Sequence, residues 1–189
     1  MLYPIICKVP QTAGSLGKKA LTAALSCYAR DTLMLSGQFS GFFPKVLKKD
    51  HNGAPIASSG VCWSIAHKPD YVAGVVSRGK TGIDLEKIKP VSEALFNRIC
   101  TQQEAGLFPP DPRSLVFFRV FTAKEAVLKA AGVGLKGLSR VRVTEVPDAL
   151  NIHVLYDNQG YEVEHFFVDQ YIVSVVKQGE IVAWQMGKL

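Results

Sequence analysis

The sequence predicts an α+β fold built from two similar halves, each with a helix packed on a small antiparallel sheet. Three observations support this prediction. A helical pattern followed by strand patterns occurs twice along the 189 residues. The strand-like segments 71–76 and 171–176 (YVAGVV and YIVSVV) resemble each other, and each follows a turn that contains an aspartate. The composition, 48% hydrophobic and 20% charged, is that of a globular protein. We place the halves at residues 1–79 and 80–189.

The first half begins with a strand, because residues 2–9 are rich in Ile and Val. Apolar residues recur near helical spacing from Leu21 to Leu35, which predicts a helix over residues 15–35 with Gly37 as its C′ residue. The next segments are, in order, a loop over 38–44, a turn at Asn52-Gly53, and strands over 61–66, 71–77 and 81–86.

The second half repeats this order. Residues 91–108 form an interrupted helical pattern, and Thr101 to Glu104 has the spacing of a capping box, so a new helix is expected to begin there. Ser114 is the expected N-cap of a long helix that runs to Ala131 and is closed by Gly132. Strands are expected over 141–144, 152–156, 161–168, 171–177 and 181–185, with a hairpin turn over 157–160.

Charge is distributed unevenly between the two halves. The formal net charge is +6. Residues 1–80 hold 10 Lys and Arg against 3 Asp and Glu, whereas residues 81–189 hold 12 against 13. A basic surface attracts phosphates, nucleic acid or an acidic protein, although solubility alone also explains such a balance. Nucleic-acid binding is not expected, since the chain has no aromatic-rich recognition motif and no long Lys/Arg run.

Cysteines, histidines and apolar runs exclude several classes of protein. The four cysteines are scattered with no CxxC pair, which predicts free thiols in a reducing cytoplasm. The four histidines form no HxxxH pattern, so a zinc enzyme is not expected. No stretch approaches the roughly 18–20 apolar residues of a membrane span. The first residues lack the basic segment of a signal peptide, and we expect none.

Two acidic residues, Asp84 and Glu86, alternate with apolar residues in the segment 82–86 (GIDLE). Side chains two apart in a strand share a face, so both carboxylates point the same way. Such acids usually face water. They also repel each other unless a cation lies between them, and Mg²⁺ prefers carboxylate oxygens while leaving positions for substrate phosphates. Both interpretations stay open on this segment alone.

A third acidic residue, Glu125, lies in the long predicted helix, and Lys129 follows four residues later. The two side chains therefore project from one helix face. On its own this spacing is also that of an ordinary surface ion pair, which contributes only about 0.2–0.5 kcal/mol.

Four segments in order resemble the 4′-phosphopantetheinyl transferases, specifically the larger, Sfp-like type. The family has a Gly-Ile/Val-Asp-Ile/Val-Glu strand, here 82–86, and a later helix with Trp/Phe-Ser/Thr-x-Lys-Glu-x-x-x-Lys, here 121–129 with Phe121 in the aromatic position. Upstream, 64–67 (SIAH) is similar to a strand end that finishes in His, and 48–55 is similar to a basic segment ending in Gly-Lys-Pro. The resemblance covers residues 45–143. Members of this type are pseudo-dimers of two similar halves.

The resemblance implies a magnesium site at Asp84, Glu86 and Glu125, with Mn²⁺ as an alternative ion. The cation would bridge to the pyrophosphate of coenzyme A. Lys129 would act near the same phosphates, with Lys124 as a further candidate. We therefore expect Lys129 to serve both catalysis and coenzyme A binding.

The resemblance also implies roles at the two ends of the substrate. Glu104 matches the family's candidate base for the attacking serine; capping of Thr101, or a water on the metal as base, are the alternatives. His67, with Lys49 and Ser64, is expected to bind coenzyme A near its 3′-phosphate. The chain departs from the family at Ala54, where the family has the lysine of Gly-Lys-Pro. It departs again where Ala66 replaces the commoner serine before the histidine.

The implied activity is transfer of the phosphopantetheine arm of coenzyme A to a serine of an apo acyl or peptidyl carrier protein. The products are holo carrier protein and adenosine 3′,5′-bisphosphate. The expected partners are coenzyme A and the carrier, with no nucleic acid and no membrane, and the chain is expected to act as a monomer. A non-catalytic relative that binds coenzyme A or a carrier protein is the alternative. The carrier and its pathway, whether fatty acid, polyketide or nonribosomal peptide synthesis, are not identified by these motifs.

Overall fold

The computed structural model describes residues 1–51 and 53–189. The turn predicted at Asn52-Gly53 falls partly on Asn52, which lies outside the described residues. Two 3₁₀ segments, Gln11–Ser15 and Gly134–Arg140, accompany the regular elements. In chain order these are β1 (Ile5–Lys8), α1 (Lys18–Ser40), β2 (Cys62–His67), β3 (Tyr71–Ser77), β4 (Ile83–Lys87), α2 (Glu93–Ile99), α3 (Gln102–Ala105), α4 (Arg113–Ala131), β5 (Val141–Glu145), β6 (Asn151–Tyr156), β7 (Gln159–Val168), β8 (Tyr171–Val176) and β9 (Gln185–Gly187).

The strands form two sheets, which confirms the predicted α+β class. The first sheet has the order β2-β3-β1-β9, and the second has the order β4-β8-β7-β6-β5. Neighbouring strands are antiparallel except for β1 and β9, which run parallel. Helix α1 packs on the first sheet and α4 on the second. The sheets thus share one arrangement, since β2-β3-β1 in the first matches β7-β8-β4 in the second.

Most strand predictions are confirmed to within two residues, but the last one is wrong. The expected strand over 181–185 lies instead at Gln185–Gly187, and Val182 makes only an isolated bridge to Leu2. The hairpin turn between β6 and β7 is confirmed. Its central residues, Asp157 and Asn158, have φ of 47° and 63°. These left-handed values match the twist of the flanking strands in a two-residue turn.

Both long helices differ at their ends from the sequence prediction. Helix α1 begins at Lys18 and continues through Gly37 to Ser40, where Gly41 closes it with φ of 75°. Gly37 is instead a packing position, because a Cβ there would collide with the ring of Phe43. Helix α4 begins at Arg113 after Pro112 and has no side-chain cap, so the predicted N-cap role of Ser114 is wrong.

Other helix boundaries agree with the sequence. Gly132 closes α4 in the left-handed conformation, with φ of 72°. Thr101 and Glu104 form the predicted capping box at the start of α3, and each satisfies a backbone amide of the other. The interrupted pattern over 91–108 is therefore two short helices, α2 and α3.

An apolar seam joins the two halves. Ile6 and Ala73 from the first sheet pack with Ile83, Leu85 and Val173 from the second, and all five are buried. Burial of apolar area of this kind contributes about 25 cal/mol per Å². Ile83 and Leu85 hold one face of β4 in the seam against the first sheet. The opposite face of β4 is directed toward α4.

Two tyrosines close one end of the seam. The hydroxyl of Tyr71 donates to Asp169 and that of Tyr171 donates to Asp70, both at 2.6 Å. The rings meet edge to face with centroids 5.1 Å apart. We call these four residues the tyrosine clasp. Each bond links one half to the other, so the clasp fixes their relative position at this end.

Candidate active site

Strand β4 presents two carboxylates on the face opposite the seam. Ile83 and Leu85 are fully buried in the seam, as the alternation predicts. Asp84 is also buried, with a side chain 10% exposed, and Glu86 is 19% exposed. Gly82 brings this strand close to α4, because a Cβ there would collide with the backbone carbonyl of Ala126. The strand therefore places its acids against the helix.

Helix α4 supplies the third carboxylate and a lysine. Lys129 Nζ lies 2.8 Å from Asp84 Oδ1 and also donates to the backbone carbonyl of Ile83 at 2.8 Å. Glu125 is one turn earlier on the helix, and the charges of Asp84 and Glu86 act on it. The structure thus brings Asp84, Glu86, Glu125 and Lys129 together. Glu125 and Lys129 therefore lie in a partly buried cluster and do not form an ordinary ion pair on a solvated helix face.

Two carboxylate oxygens of this cluster lack a partner. Asp84 Oδ2 and Glu125 Oε1 are buried and accept no hydrogen bond within the described part of the chain. Burial, followed by the charge of Asp84, raises the pKa of Glu125 to about 7, and burial also raises the pKa of Glu86. Unpaired buried carboxylates are costly, and a hard dication with oxygen ligands would satisfy them.

These residues therefore fit a magnesium ion by their chemistry. As the side chains stand, no group of three or more His, Cys, Asp or Glu residues among 1–51 and 53–189 forms a ready-made metal site. Lysines neutralise two of the acids instead: Lys129 pairs with Asp84, and Lys68 pairs with Glu86 at 2.8 Å. Lys68 was not singled out by the sequence, because no motif position marks it. The only feature of the sequence that could have identified Lys68 is its position directly after His67, the last residue of β2.

The residues expected to bind the 3′-phosphate lie beside this cluster. A cavity lined by Lys49, Ser64 and Lys129 adjoins the middle of β2. Ser64 is buried, and its hydroxyl accepts a hydrogen bond from the Ile83 amide at 3.1 Å, which ties β2 to β4. Burial lowers the pKa of His67, and the charges of three nearby lysines, Lys129, Lys68 and Lys49, lower it further. This end of the site is strongly cationic.

Glu104 and Lys124 form a separate buried pair. Their charged groups are 2.7 Å apart, and both side chains are 4% exposed. Glu104 Oε1 also accepts from the Val143 amide at 2.8 Å, while Oε2 accepts from the Thr101 amide at 2.9 Å. Lys124 also donates to the Ile99 carbonyl. No contact described for either residue reaches the carboxylates of β4. The structure therefore does not bring these two predicted residues together with the others.

Comparison with known proteins agrees with the motifs. A family model described as the 4′-phosphopantetheinyl transferase superfamily matches residues 80–176, which is about half of the chain. The matched region contains both carboxylate motifs and the Glu104–Lys124 pair. The chain therefore belongs to the 4′-phosphopantetheinyl transferase superfamily, as the sequence resemblance predicted.

Three relatives give the same family. The 4′-phosphopantetheinyl transferase HetI of Nostoc sp. is 32% identical over 124 residues, covering 59% of this chain and 52% of the relative. The 4′-phosphopantetheinyl transferase psf-1 of Bacillus pumilus is 30% identical over 100 residues, covering 50% and 43%. A putative 4′-phosphopantetheinyl transferase of Haemophilus influenzae is 27% identical over 159 residues, covering 78% and 65%. The first two matches span about half the length of those relatives.

Two further findings bear on the expected setting of the protein. All four cysteines are free thiols, as predicted: Cys7 and Cys100 are buried, whereas Cys27 is exposed and Cys62 is half-buried. No helix in the described ranges is long and apolar enough to cross a membrane.

Proposed function

We propose that the protein transfers the phosphopantetheine arm of coenzyme A to a serine of an apo carrier protein. Membership of the superfamily and the names of the relatives support the reaction class. The observation that carries the proposal is the carboxylate cluster on β4 and α4. Two of its oxygens, Asp84 Oδ2 and Glu125 Oε1, are buried without a partner, while Lys129 pairs with Asp84 Oδ1. Buried, unpaired charge of this kind is retained where a ligand uses it.

Asp84, Glu86 and Glu125 would hold Mg²⁺, or Mn²⁺ in its place. When bound, the cation supplies neutralisation of the pyrophosphate charge. Lys129 adds a point charge for the same phosphates, and its bond to the Ile83 carbonyl holds it at the edge of β4.

The 3′-phosphate is assigned to His67, Lys49 and Ser64. The neighbouring lysines disfavour a proton on His67, so an anion placed among them is attracted by the lysines and also restores the basicity of the imidazole. Ser64 holds β2 against β4 through the Ile83 amide, which keeps the phosphate end and the carboxylate end at a fixed separation.

In the reaction, the serine oxygen of the carrier forms a bond to the phosphorus that bears pantetheine. The bond from that phosphorus to the bridging oxygen breaks, and adenosine 3′,5′-bisphosphate leaves. We assign the serine proton to Glu104, whose carboxylate lies 2.7 Å from the ammonium of Lys124. Both Glu104 oxygens are engaged in the structure, so this role requires one contact to open. Glu104→Gln keeps a carbonyl for the Val143 amide but cannot take the proton, so it separates the catalytic role from the capping role.

The arrangement of the sheets supports the proposed duplication. Residues 1–79 and 80–189 each contain a helix on a sheet with matching order of three strands. Strand β9, at Gln185–Gly187, lies in the first sheet although it belongs to the second range. We propose that this pseudo-dimer acts as a monomer in the cytoplasm and that the basic first half receives an acidic carrier.

The test is transfer itself. The protein is mixed with coenzyme A, Mg²⁺ and a set of apo acyl and peptidyl carrier proteins, and the carriers are weighed by mass spectrometry. We expect one carrier class to gain the mass of one phosphopantetheine arm, and to gain nothing when EDTA replaces Mg²⁺. No gain on any carrier would contradict the proposal.

A non-catalytic relative is the second candidate, and Ala54 and Ala66 favour it. Ala54 lacks a cation for the 3′-phosphate, and Ala66, which is 5% exposed in the seam, lacks a hydroxyl. Calorimetry distinguishes the candidates. Coenzyme A binding that is the same with and without Mg²⁺, together with no transfer, would favour the binding module.

A further inference from the structure

Lys68 occupies a position that the motifs do not explain. It lies in the turn between β2 and β3, directly after His67. Its Nζ is 2.8 Å from Glu86 Oε1, and its side chain is 35% exposed. Because Glu86 belongs to the proposed metal site, an ammonium held on this carboxylate competes with a cation for the same oxygen.

The chain lacks one lysine that the family resemblance implies at this end of the site. In the family resemblance, a lysine stands at the position of Ala54, which lines the cavity with Lys49 and Lys129. Lys68 acts on the same histidine, His67, as do those two lysines. Three ammonium groups therefore act on His67: those of Lys49 and Lys129, which line the cavity, and that of Lys68, in the turn after β2.

We propose that Lys68 is a phosphate-binding residue that replaces the cation absent at Ala54. Without ligand, its ammonium pairs with Glu86. With ligand, Glu86 is available to the metal, and the ammonium turns to a phosphate of coenzyme A. The inference rests on the proposed function, since it needs coenzyme A as the ligand. Lys68 thereby couples the metal end of the site to the phosphate end.

The key variant is Lys68→Met, which keeps the aliphatic stem and removes the charge. Two affinities are expected to change in opposite directions. Coenzyme A, titrated by calorimetry in EDTA, should bind about tenfold more weakly, because a charge-assisted hydrogen bond is lost. Mn²⁺, titrated alone, should bind more tightly, because its competitor on Glu86 is gone. Because an unpaired Glu86 would itself repel phosphate, coenzyme A is also titrated in the Glu86→Gln background, where Lys68→Met should still weaken its binding. No further weakening there would show that Lys68 only neutralises Glu86.

Titration with 3′-dephospho-coenzyme A, which lacks the 3′-phosphate, identifies which phosphate Lys68 contacts. Equal weakening of both ligands by Lys68→Met assigns Lys68 to the pyrophosphate, and weakening of coenzyme A alone assigns it to the 3′-phosphate. Lys89→Met, at an exposed lysine just beyond β4, is the matched control and should leave all three affinities unchanged. Thermal unfolding of each variant verifies the fold, and Lys68→Arg should restore much of the coenzyme A affinity.

The failure of this inference is distinct from failure of the proposed function. If wild-type protein binds coenzyme A and modifies a carrier, but Lys68→Met binds coenzyme A as tightly as wild type, the role of Lys68 is overturned while the transferase stands. If wild-type protein binds no coenzyme A, the proposed function itself is contradicted, and the role of Lys68 with it.

Discussion

Strands β1 and β4 hold corresponding positions in the two sheets, but only β1 has a neighbouring strand on its second edge. Lys8 of β1 lies opposite Tyr71 in the register, and Lys87 of β4 lies opposite Tyr171. The second edge of β1 is covered by β9, whereas β4 ends its sheet. One edge is therefore closed by backbone pairing and the other is left open for side chains.

The carbonyl groups at these edges show the difference directly. In the first half, the Pro4 carbonyl accepts a hydrogen bond from the Gln185 amide at 3.0 Å. In the second half, the corresponding Ile83 carbonyl accepts one from the ammonium of Lys129 at 2.8 Å. Another strand satisfies the first edge, whereas two side chains satisfy the second: Lys129 at the carbonyl and Ser64 at the amide of Ile83.

The side chains follow the same division. By register, Asp84 and Glu86 of β4 correspond to Ile5 and Cys7 of β1, and both of those residues are fully buried. A buried charge is costly without a partner, so carboxylates suit only the open edge. The two sheets are similar in strand order, and the charged side chains collect at the edge that no strand closes.

Helices α1 and α4 also differ in the residues that they place at these two edges. Thr32 of α1 packs against Gly74, and Thr122 of α4 accepts a hydrogen bond from Ser174, which occupies the corresponding position on β8. Three residues after these threonines the chain has Leu35 and Glu125, and seven residues after them it has Phe39 and Lys129. The apolar pair belongs to the closed edge, and the charged pair belongs to the open one.

Glu125→Leu, which copies Leu35 into the open edge, should have the largest effect. Transfer to the carrier should fall at least about 100-fold, because one proposed metal ligand is lost. Without metal, the free energy of unfolding should instead rise by roughly 1–2 kcal/mol, since a partly buried charge with an unpaired oxygen is removed. Mass spectrometry measures the first quantity and urea unfolding in EDTA the second. Retained transfer would remove Glu125 from the site. The exposed Glu93→Leu is the control.

Gly74→Ser, which copies Ser174 into the first half, should destabilise the protein by about 2–3 kcal/mol. A Cβ at Gly74 would collide with Thr32, so α1 would have to move away from its sheet. Urea unfolding of this variant measures the loss. Gly179 is exposed but is not a suitable control position, because its φ is 77° and any side chain there would be strained. Stability equal to that of wild type would show that the helices pack at the same distance in both halves.

His165→Ile copies Ile65 and should reduce the sensitivity of stability to acid. Burial, followed by the charge of Arg119, lowers the pKa of His165 to about 3, with Asp148 acting in the opposite direction. His165 also contacts the Ser174 hydroxyl at 2.8 Å. The unfolded chain takes up the proton near pH 6.5 and the native chain does not, so this contribution to stability is lost as pH falls from 6.5 toward 3. Between pH 7.5 and 5 it amounts to about 2 kcal/mol.

Urea unfolding at pH 7.5, 6 and 5 measures this effect. The wild-type free energy of unfolding should fall more steeply with acid than that of His165→Ile. Identical slopes would contradict the prediction, whatever the absolute stability of the variant.

Tyr71→Phe and Tyr171→Phe should have the smallest effects, about 1 kcal/mol each, because each removes one bond of the tyrosine clasp. The two losses should be similar, as the bonds are equivalent. Tyr171→Phe should also raise KM for coenzyme A, since Asp70 ends the turn that contains Lys68 and follows His67. A raised KM in Tyr71→Phe and not in Tyr171→Phe would show that the clasp does not position this turn.

The sequence predicted the parts of the fold that local patterns determine. The alternation in 82–86 gave the face of Asp84 and Glu86, and the capping box gave the start of α3. It failed where distant residues decide the outcome. Gly37 has the chemistry of a helix end, but the helix continues because Phe43 packs over it. Strand β9 forms where β1 offers a free edge, and no pattern in its own residues shows that.

The site divides in the same way. The family resemblance predicted the cluster on β4 and α4, whereas strand and helix periodicity predicted only which side chains share a face within each element. Lys68 was missed because its ion pair with Glu86 joins residues 18 apart in the chain, with β3 between them. The contacts of Lys124 with Glu104 and the Ile99 carbonyl were also beyond the sequence, since they arise from tertiary packing.

The central claim is that the open edge of β4 holds a divalent cation through Asp84, Glu86 and Glu125. Titration of Mn²⁺ with coenzyme A present, followed by the electron paramagnetic resonance signal of free Mn²⁺, tests it most directly. We expect one Mn²⁺ per wild-type chain and loss of that ion in Glu86→Gln, with the fold retained in thermal unfolding. No bound Mn²⁺ in wild type, or equal binding by Glu86→Gln, would contradict the claim.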